Sequence, residues 1–254
     1  VKDLAGGPTD GTLVNATYNS SYGGVWDFDG NGDIIQLRHK NFARFRQFDS
    51  QSDGDDITIM AWVLVHSDVT EHRPATNSGM WFSTLEESNV GGTQGTGMHL
   101  SWADDSYVGS GYDSVLLCRI GQTPSSGWSG GHQYRSNNNT FPKNTWKHIV
   151  VTFEGATSAG KTAKAYIDGS EITWTKYQDG PGTNQPIPYL RSTGTVAQCN
   201  LGGALTQRGD GLFLSGRSSS YFKGSIGYFA TFRRALSATE ILNHYNATKS
   251  RFGL

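Results

Sequence analysis

The sequence predicts an all-β protein, folded as a two-sheet antiparallel sandwich with one short helix near its C-terminus. Three observations lead to this fold class. About a dozen segments rich in β-branched and aromatic residues recur along the chain, separated by Gly, Asp, Asn or Ser. These segments do not alternate with amphipathic helical segments, so a parallel α/β sheet is not expected. A single helix signal occurs, and it lies late in the sequence.

Length and composition fit one large β domain, and we predict a single domain over residues 1–254. The chain has 33 glycines, which suits many turns, and 12% aromatic residues, which argues against disorder. The formal net charge is -1, so there is no electrostatic case for nucleic acid as a partner. No apolar run approaches the length of a membrane helix, and insertion into a membrane is not expected.

The strand-like segments can be read in order along the chain. They are GTLVNATY, GVWDFDG, DIIQL, ITIMAWVLV, SGMWFSTL, GMHLSWA, SVLLCRIG, TWKHIVVTFEG, KAYIDGSEITW, QCNLGGAL, GLFLSGR and SIGYFATFRRA. Alternation in TWKHIVVTFEG places Ile149, Val151 and Phe153 on one face of the strand. In KAYIDGSEITW, Asp168 and Gly169 lie between two β-rich arms, which predicts a hairpin with a type I′ turn.

The helix signal is a capping box formed by Ser237 and Glu240. An apolar stripe of Ile241, Leu242 and Tyr245 follows it, as expected for a short helix with one buried face. The chain ends soon after this segment.

Two cysteines occur, Cys118 and Cys199. They are too few for a disulfide scaffold, and they lack the spacing of a zinc site. We expect both to be buried, either as two free thiols or as one long-range bridge.

The stretch DFDGNGDII resembles the first nine positions of a calcium-binding EF-hand loop. Arg38 stands where that loop requires a bidentate Glu, and the preceding residues favour a strand rather than a helix. Alternation predicts that Phe28 points into the core. Two interpretations stay open for the turn that follows: a hydrogen-bonded Asp/Asn turn, or a structural Ca²⁺ site formed by Asp29, Asn31 and Asp33.

Four segments, taken in this order, resemble the laminin G-like, or concanavalin A-like lectin/glucanase, jelly-roll family. They are DLAGGPTDGTLVN with VWDFDGNGDIIQL, then ITIMAWV, then WKHIVVTFEG with AYIDGSEI, and finally YFKGSIGYFATFRRALSATEILNHYNATKSRFG. The resemblance spans nearly the whole chain and implies a jelly-roll sandwich. It also implies that DFDGNGDII forms a turn at the rim of the sandwich, where members of this family often carry calcium.

The enzymatic alternatives lack most of their sequence signatures. The E-x-D-x-E strand of related glycoside hydrolases is absent. A lyase acting on uronate-containing glycans needs a charge neutraliser, a base and an acid, and GHQYR offers such residues, with Arg119 and His99 on nearby predicted strands. YFKGSIGY resembles the YFKAG motif of alginate lyases, but no R-x-E-x-R, Gln-Ile-His or Gln-Val-His segment accompanies it. The sequence therefore favours a non-catalytic module, with a lyase as an alternative.

Aromatic and planar polar residues cluster in the Gly- and Ser-rich middle of the chain, a composition suited to sugar recognition. The predicted carbohydrate-binding residues are Trp102, Tyr112, Arg119, Trp128, His132, Tyr134 and Arg135. By contrast, Trp26, Trp62 and Trp146 lie within strand patterns and are expected in the core.

We therefore predict a recognition module on an extracellular or virion-surface protein, with a glycan or host-surface polysaccharide as its partner. The alternative from another class is a virus or phage structural protein, a capsid decoration or tail component that contacts only other virion or modular-protein subunits. A polysaccharide lyase is the third possibility.

Overall fold

The computed structural model describes residues 11–37, 56–69, 78–83, 86–87, 95–104, 111–121, 132–154, 162–178, 199–204, 220–232 and 234–254. The strands in these ranges are mostly short. In chain order they are β1 (Thr12–Val14), β2 (Thr17–Asn19), β3 (Val25–Asp29), β4 (Ile34–Leu37), β5 (Ile57–Val65), β6 (Met80–Ser83), β7 (Glu86–Glu87), β8 (Gly95–Ala103), β9 (Val115–Gly121), β10 (His132–Ser136), β11 (Lys147–Glu154), β12 (Thr162–Ile167), β13 (Ser170–Glu171), β14 (Trp174–Gln178), β15 (Cys199–Leu201), β16 (Gly203–Ala204), β17 (Ser220–Tyr221) and β18 (Lys223–Phe232).

Two antiparallel sheets carry most of these strands, and they confirm the predicted jelly-roll sandwich. The first sheet has the order β1-β4-β15-β6-β8-β9-β10-β14, with β7 paired to β8. The second sheet has the order β13-β12-β11-β5-β18-β3-β2, and β16 pairs with β17 separately. Strands from the two ends of the sequence are neighbours, because β3 pairs with β18 and β4 pairs with β15.

The core lies between the two sheets, where inward-facing side chains of both sheets meet. Ile149, Val151 and Phe153 of β11 all belong to it, as their alternation predicts. Phe28 of β3 is also in this core and is 1% exposed. Period-2 alternation therefore identifies the inward face of both strands.

The turn between β12 and β13 has the conformation predicted for a type I′ hairpin. Asp168 and Gly169 both have positive φ, at 53° and 80°. The Asp168 carboxylate binds back to the start of β11, where it accepts hydrogen bonds from Lys147 Nζ at 2.6 Å and from the backbone N–H of His148 at 3.1 Å.

The helix α1 (Ala238–Thr248) begins at the predicted capping box. Ser237 Oγ accepts a hydrogen bond from the backbone N–H of Glu240, whose carboxylate accepts one from the backbone N–H of Ser237. Ile241 is buried, but Leu242 is 43% exposed, so the predicted stripe is wrong at Leu242. Residues one apart diverge by about 100° around a helix, so Leu242 lies at the side of the helix, next to Gly169 of the β12–β13 turn. In the described ranges, no helix is long and apolar enough to cross a membrane.

Helix α1 and the 3-10 turn after it (Lys249–Phe252) cover the outer face of the second sheet. Trp62 and Trp146 are buried in this layer with Phe252, outside the core between the sheets. Trp26 is half-buried against that core. Of the three tryptophans expected in the core, Trp26 thus packs against the core between the sheets, whereas Trp62 and Trp146 are buried under the C-terminal segment.

A histidine pair joins helix α1 to β11. His148 Nε2 and His244 Nδ1 are 3.0 Å apart, and the two rings stack with their centres 5.0 Å apart. Burial lowers the pKa of His148 to about 3, with a further contribution from the charge of His244. Burial also lowers the pKa of His244. Both rings are therefore neutral at physiological pH.

Cys118 is a buried free thiol in the core, and burial raises its pKa. The side chain of Cys199 lies outside the described residues.

Candidate functional site

A row of polar residues crosses the first sheet from edge to edge at a single register. Strand pairing sets each member directly opposite the next, so that each of the eight strands in the sheet order contributes one residue. From the β1 edge to the β14 edge, this polar row consists of Thr12, Gln36, Asn200, Ser83, His99, Arg119, Gln133 and Gln178.

The polar row lies on the outer face of the first sheet. Its chain neighbours Ile35, Leu201, Leu100 and Cys118 belong to the core between the sheets. Because successive residues of a strand occupy opposite faces, the row positions beside them belong to the other face.

The centre of the polar row is buried and contains polar atoms without partners. Ser83, His99 and Asn200 are 0% exposed and Gln133 is 3% exposed, whereas Gln36 is half-buried. Within the described structure, neither Oδ1 nor Nδ2 of Asn200 has a hydrogen-bond partner, and Gln36 Nε2 has none either. Buried polar atoms are normally paired, so these amides are an exception that asks for a partner, a bound water or a polar group of a ligand.

Two glycines lie beside the middle of the row. Gly97 of β8 pairs with Gly121 of β9, two positions along from His99 and Arg119 on the same face. Because glycine has no side chain, this pair adds no side chain to the sheet face beside the polar row.

The opposite side of the row is flanked by an arginine held over a tyrosine. Arg135 Cζ lies 3.5 Å from the centre of the Tyr112 ring, within the range of a cation–π contact. Tyr112 packs against Ala103, Val115 and Leu117, an apolar group on the same outer face. Two of the predicted carbohydrate-binding residues therefore lie together beside the row.

The other predicted residues fall in different places. Arg119 is a member of the polar row by register. Trp102 is a core residue with 0% exposure, so its assignment to a sugar-binding surface is wrong; alternation along β8 turns it inward with Leu100. Tyr134 is half-buried against the core and stacks on Trp174, with ring centres 5.9 Å apart.

Two predicted residues cannot be placed as side chains. His132 begins β10 opposite Ile120, a register position that alternates with the row position of Gln133. The side chain of His132 and all of Trp128 lie outside the described residues. The binding prediction missed Gln36, Ser83 and Asn200, which lie in three separate predicted strands.

A groove of about 460 Å³ lies on the outer face of the second sheet, where residues of β2, β3, β5 and β18 line it. Tyr22 and Trp146 line it, with ring centres 5.4 Å apart in an edge-on arrangement. At its floor, the Asp27 carboxylate accepts hydrogen bonds from Ser225 Oγ at 2.6 Å and from Asn19 Nδ2 at 2.9 Å. The polar groups of this floor are thus paired with one another.

The turn of DFDGNGDII lies at the rim of this groove. Asp29 Oδ1 accepts a hydrogen bond from the backbone N–H of Asn31 at 2.6 Å, and Asp33 Oδ2 accepts one from the backbone N–H of Asp29 at 2.8 Å. Burial raises the pKa of Asp33. The described residues contain no group of three or more His, Cys, Asp or Glu side chains arranged to hold a metal ion. The hydrogen bonds fit the Asp/Asn turn, and the calcium site stays a prediction.

Solved structures with a similar fold include several toxin binding domains. The receptor-binding domain of botulinum neurotoxin D matches 96% of this chain, with a TM-score of 0.59 and 15% identity. The binding domain of botulinum neurotoxin DC in complex with SialylT matches 97%, at a TM-score of 0.56 and 12% identity. The binding domain of Paraclostridial Mosquitocidal Protein 1 matches 97%, at 0.54 and 15%.

The match covers only 49%, 48% and 49% of those three chains, so this chain spans about half of their length. At these identities the likeness establishes the fold alone.

A search of curated proteins finds no match to this sequence. A family model does match: the laminin G model described as the concanavalin A-like lectin/glucanases superfamily aligns with residues 29–242. This range extends from the end of β3 into helix α1 and so includes strands of both sheets. The chain belongs to the concanavalin A-like lectin/glucanase superfamily.

Proposed function

We propose that this chain is a carbohydrate-recognition module, which binds a glycan along the polar row. The observation that carries the proposal is Asn200, a fully buried amide without hydrogen-bond partners in a continuous line of polar residues. An amide offers both donors and acceptors, and sugar hydroxyls do the same. A sugar hydroxyl that reached Asn200 would therefore satisfy its amide; because Asn200 is 0% exposed, this contact requires the groups above it to move aside.

The fold neighbours support this proposal in general terms. One of the toxin binding domains was solved in complex with SialylT, and another structure concerns a toxin whose cell entry depends on two ganglioside molecules. By analogy, we propose an extracellular or virion-surface setting, in which the partner is a glycan or a host-surface polysaccharide. The analogy extends to the fold alone, and we propose the polar row as the binding site from its own residues.

A glycan array with matched variants tests the proposal. We expect the wild-type chain to bind a subset of glycans and Asn200→Leu to lose that binding. Asn246→Leu makes the same chemical change on the exposed face of helix α1 and should bind like wild type. Thermal melts of all three proteins check that they are folded. Binding of no glycan by the folded wild-type protein would contradict the proposal and favour a structural protein that contacts only protein subunits.

One observation favours a second candidate function, a lyase acting on uronate-containing glycans. His99, Arg119 and Gln133 lie at one register on the adjacent strands β8, β9 and β10. A histidine can act as the base, and Arg or Gln can neutralise the uronate carboxylate during elimination. Because no R-x-E-x-R, Gln-Ile-His or Gln-Val-His segment accompanies these residues, we rank binding above catalysis.

The lyase alternative has a direct assay. Incubation with uronate polymers would raise the ultraviolet absorbance of the unsaturated product, and His99→Gln would abolish that rise. A flat trace for the wild-type protein with every polymer would exclude this alternative for those substrates.

A further inference from the structure

We infer that the groove on the outer face of the second sheet binds a basic side chain, the ammonium of a lysine or the guanidinium of an arginine in a peptide or protein partner. The groove is separate from the polar row, which lies on the first sheet, so its test does not depend on the proposed function. Its volume of about 460 Å³ lies within the range of roughly 300–1,000 Å³ that is usual for ligand pockets.

The carboxylate of Asp27 lies at the floor of the groove, half-buried and without a cationic partner among the described residues. Oδ1 accepts a hydrogen bond from Ser225 Oγ, and Oδ2 accepts one from Asn19 Nδ2. Both donors are neutral, so they orient the carboxylate without neutralising its charge. A carboxylate has about four acceptor sites, so each oxygen keeps one for a further donor.

Other groups around this carboxylate leave the groove with an excess of negative charge. Asp29 and Asp33 also line it, and each accepts a hydrogen bond from a backbone N–H, which is a neutral donor. The basic side chains in the described lining are Lys223 and His66, and Lys223 already forms an ion pair with Asp68. Carboxylates therefore outnumber cations in the groove, which attracts a cationic ligand.

Two aromatic rings form one wall of the groove. Tyr22 is 45% exposed, lies edge-on to Trp146 and stacks on Phe252, with the two stacked ring centres 6.1 Å apart. The cation next to this wall, Arg251, is bonded to backbone carbonyls, including those of Tyr22 and Gly24. Ammonium and guanidinium groups are attracted to the face of an aromatic ring, so the wall favours the same charge as the floor.

The arrangement of the acidic groups favours an organic cation over a metal ion at this floor. The described residues contain no group of three or more His, Cys, Asp or Glu side chains arranged to hold a metal. An ammonium or guanidinium needs only one or two carboxylate oxygens. Val25 and Leu64 also line the groove and provide apolar surface for the carbon stem of a lysine or arginine.

Trp146 supplies a donor that lacks an acceptor. It is 5% exposed, and its Nε1 has no hydrogen-bond partner among the described residues, although buried N–H groups are normally paired. A peptide carries a backbone carbonyl close to each basic side chain, so it brings an acceptor together with the cation. An acceptor that reaches this buried N–H has to displace part of the wall, so we assign most of the affinity to the charge contact with Asp27.

Titration of the wild-type chain with tripeptides, followed by nuclear magnetic resonance, tests the inference. Acetylated and amidated Gly-Lys-Gly and Gly-Arg-Gly carry the basic side chain, and the norleucine tripeptide is the uncharged control of similar size. We expect the basic tripeptides to bind at least tenfold more tightly than the control and to bind more weakly as salt is raised. They should shift the signals of the Trp146 indole N–H and of the Asn19 and Ser225 amides. Butylamine, which has no carbonyl, should bind more weakly than Gly-Lys-Gly.

Variants with opposite expected effects test the charge contact. Asp27→Asn keeps an acceptor for Ser225 but removes the charge, and should weaken the binding of Gly-Lys-Gly about tenfold. Lys223→Gln removes a competing cation and should strengthen that binding roughly twofold. Glu171→Gln removes an exposed carboxylate in β13, at the opposite edge of the same sheet from β2, and should change nothing. Thermal melts check that each variant is folded; if Asp27→Asn is not, Lys223→Gln and the salt dependence decide.

Several outcomes would overturn the inference. Equal affinity for the lysine and norleucine tripeptides would exclude the charge contact, and so would unchanged affinity in folded Asp27→Asn. Signal shifts confined to the first sheet would exclude the groove as the site. Butylamine that binds as tightly as Gly-Lys-Gly would exclude the contact with the peptide backbone. The glycan array tests the other sheet, so the failure of one proposal leaves the other in place.

Discussion

The outer faces of the two sheets follow the same strand alternation but carry different side chains. On the second sheet, Met60, Trp62 and Val150 point outward and are covered by helix α1 and the turn after it. On the first sheet, the outward positions include Ser83 and Asn200, which are equally buried but polar.

The two outer faces differ in whether their outward side chains have packing and hydrogen-bond partners within the chain. On the second sheet, Trp62 finds its partners within the chain: it stacks on Phe252 with ring centres 4.3 Å apart and donates a hydrogen bond from Nε1 to Thr248 Oγ1 at 3.0 Å. In the same layer, the buried atoms Trp146 Nε1 and His148 Nδ1 have no hydrogen-bond partner among the described residues. Among the described residues, neither polar atom of the Asn200 amide has a hydrogen-bond partner. Helix α1 therefore completes the apolar packing of one face, whereas we propose that a ligand completes the other.

The largest effect should come from removing the aromatic centre of the covered face. Trp62→Ala deletes a fully buried side chain that packs against Phe252 and Tyr245. We expect a loss of about 3–5 kcal/mol in the free energy of unfolding, measured by denaturant titration. Thr248→Val keeps the packing but removes the hydrogen bond from Trp62 and the one that Thr248 Oγ1 donates to the His244 carbonyl at 2.8 Å, and should cost about 1–2 kcal/mol. A loss below 1 kcal/mol for Trp62→Ala would show that the helix does not depend on this face.

Lowering the pH should reduce the free energy of unfolding, because the histidine pair His148 and His244 lies between helix α1 and the second sheet. The pKa of His148 is lower in the folded protein, at about 3, than its ordinary value of 6.5. Below pH 6.5 the unfolded chain therefore binds more protons than the folded protein. The stability is complete above that pH and is lost as the pH falls toward about 3. Between pH 7 and pH 5 we expect a loss of about 2 kcal/mol in the free energy of unfolding.

Two matched variants test whether the histidine pair causes this acid sensitivity. His148→Phe removes the titrating group but keeps an aromatic ring beside Trp62, and should flatten the dependence on pH. His66→Phe changes a histidine in the groove, away from helix α1, and should leave the dependence as in wild type. If both variants titrate alike, the pair does not cause the acid sensitivity.

A substitution on the outer face of the first sheet should not lower the free energy of unfolding. Asn200→Leu replaces an unpartnered buried amide by an apolar side chain, which removes a desolvation cost of about 1 kcal/mol. We expect the unfolding free energy to stay equal or rise by that amount, although glycan binding is lost. Destabilisation by more than 1 kcal/mol would show that Asn200 has a structural role, and would weaken the contrast between the faces.

Local patterns were sufficient to predict much of the fold. The type I′ turn at Asp168 and Gly169, the capping box at Ser237 and the inward position of Phe28 all depend on residues close in sequence. The jelly-roll topology was predicted from the resemblance to a known family. Leu242 shows the limit of this reasoning, because the exposed side of a helix depends on how the helix lies on the sheet.

The site was harder to predict because it depends on register between distant segments. Gln36, Ser83 and Asn200 are each a single polar residue in a mostly apolar strand, and none is notable alone. Only the order of β4, β15 and β6 brings them together. Trp102 was misassigned although it lies in the predicted strand GMHLSWA: it was grouped with the aromatic residues that follow it in the Gly- and Ser-rich middle of the chain, but alternation along β8 turns its side chain inward.

The smallest expected effect concerns the turn at the end of β3, on the covered side of the molecule. We predicted that Asp29, Asn31 and Asp33 bind calcium, and a ligand that binds only the folded state stabilises it by RT ln(1 + [L]/Kd). At a calcium concentration equal to Kd, this gain is about 0.4 kcal/mol. The melting temperature should therefore rise slightly in millimolar calcium and fall again with chelator. Asp33→Asn can keep the hydrogen bond to the Asp29 backbone but lowers the charge, and should abolish the shift. If calcium leaves the wild-type melt unchanged, the carboxylates serve only the turn, and the hydrogen bonds from the Asp29 and Asn31 backbones account for them fully.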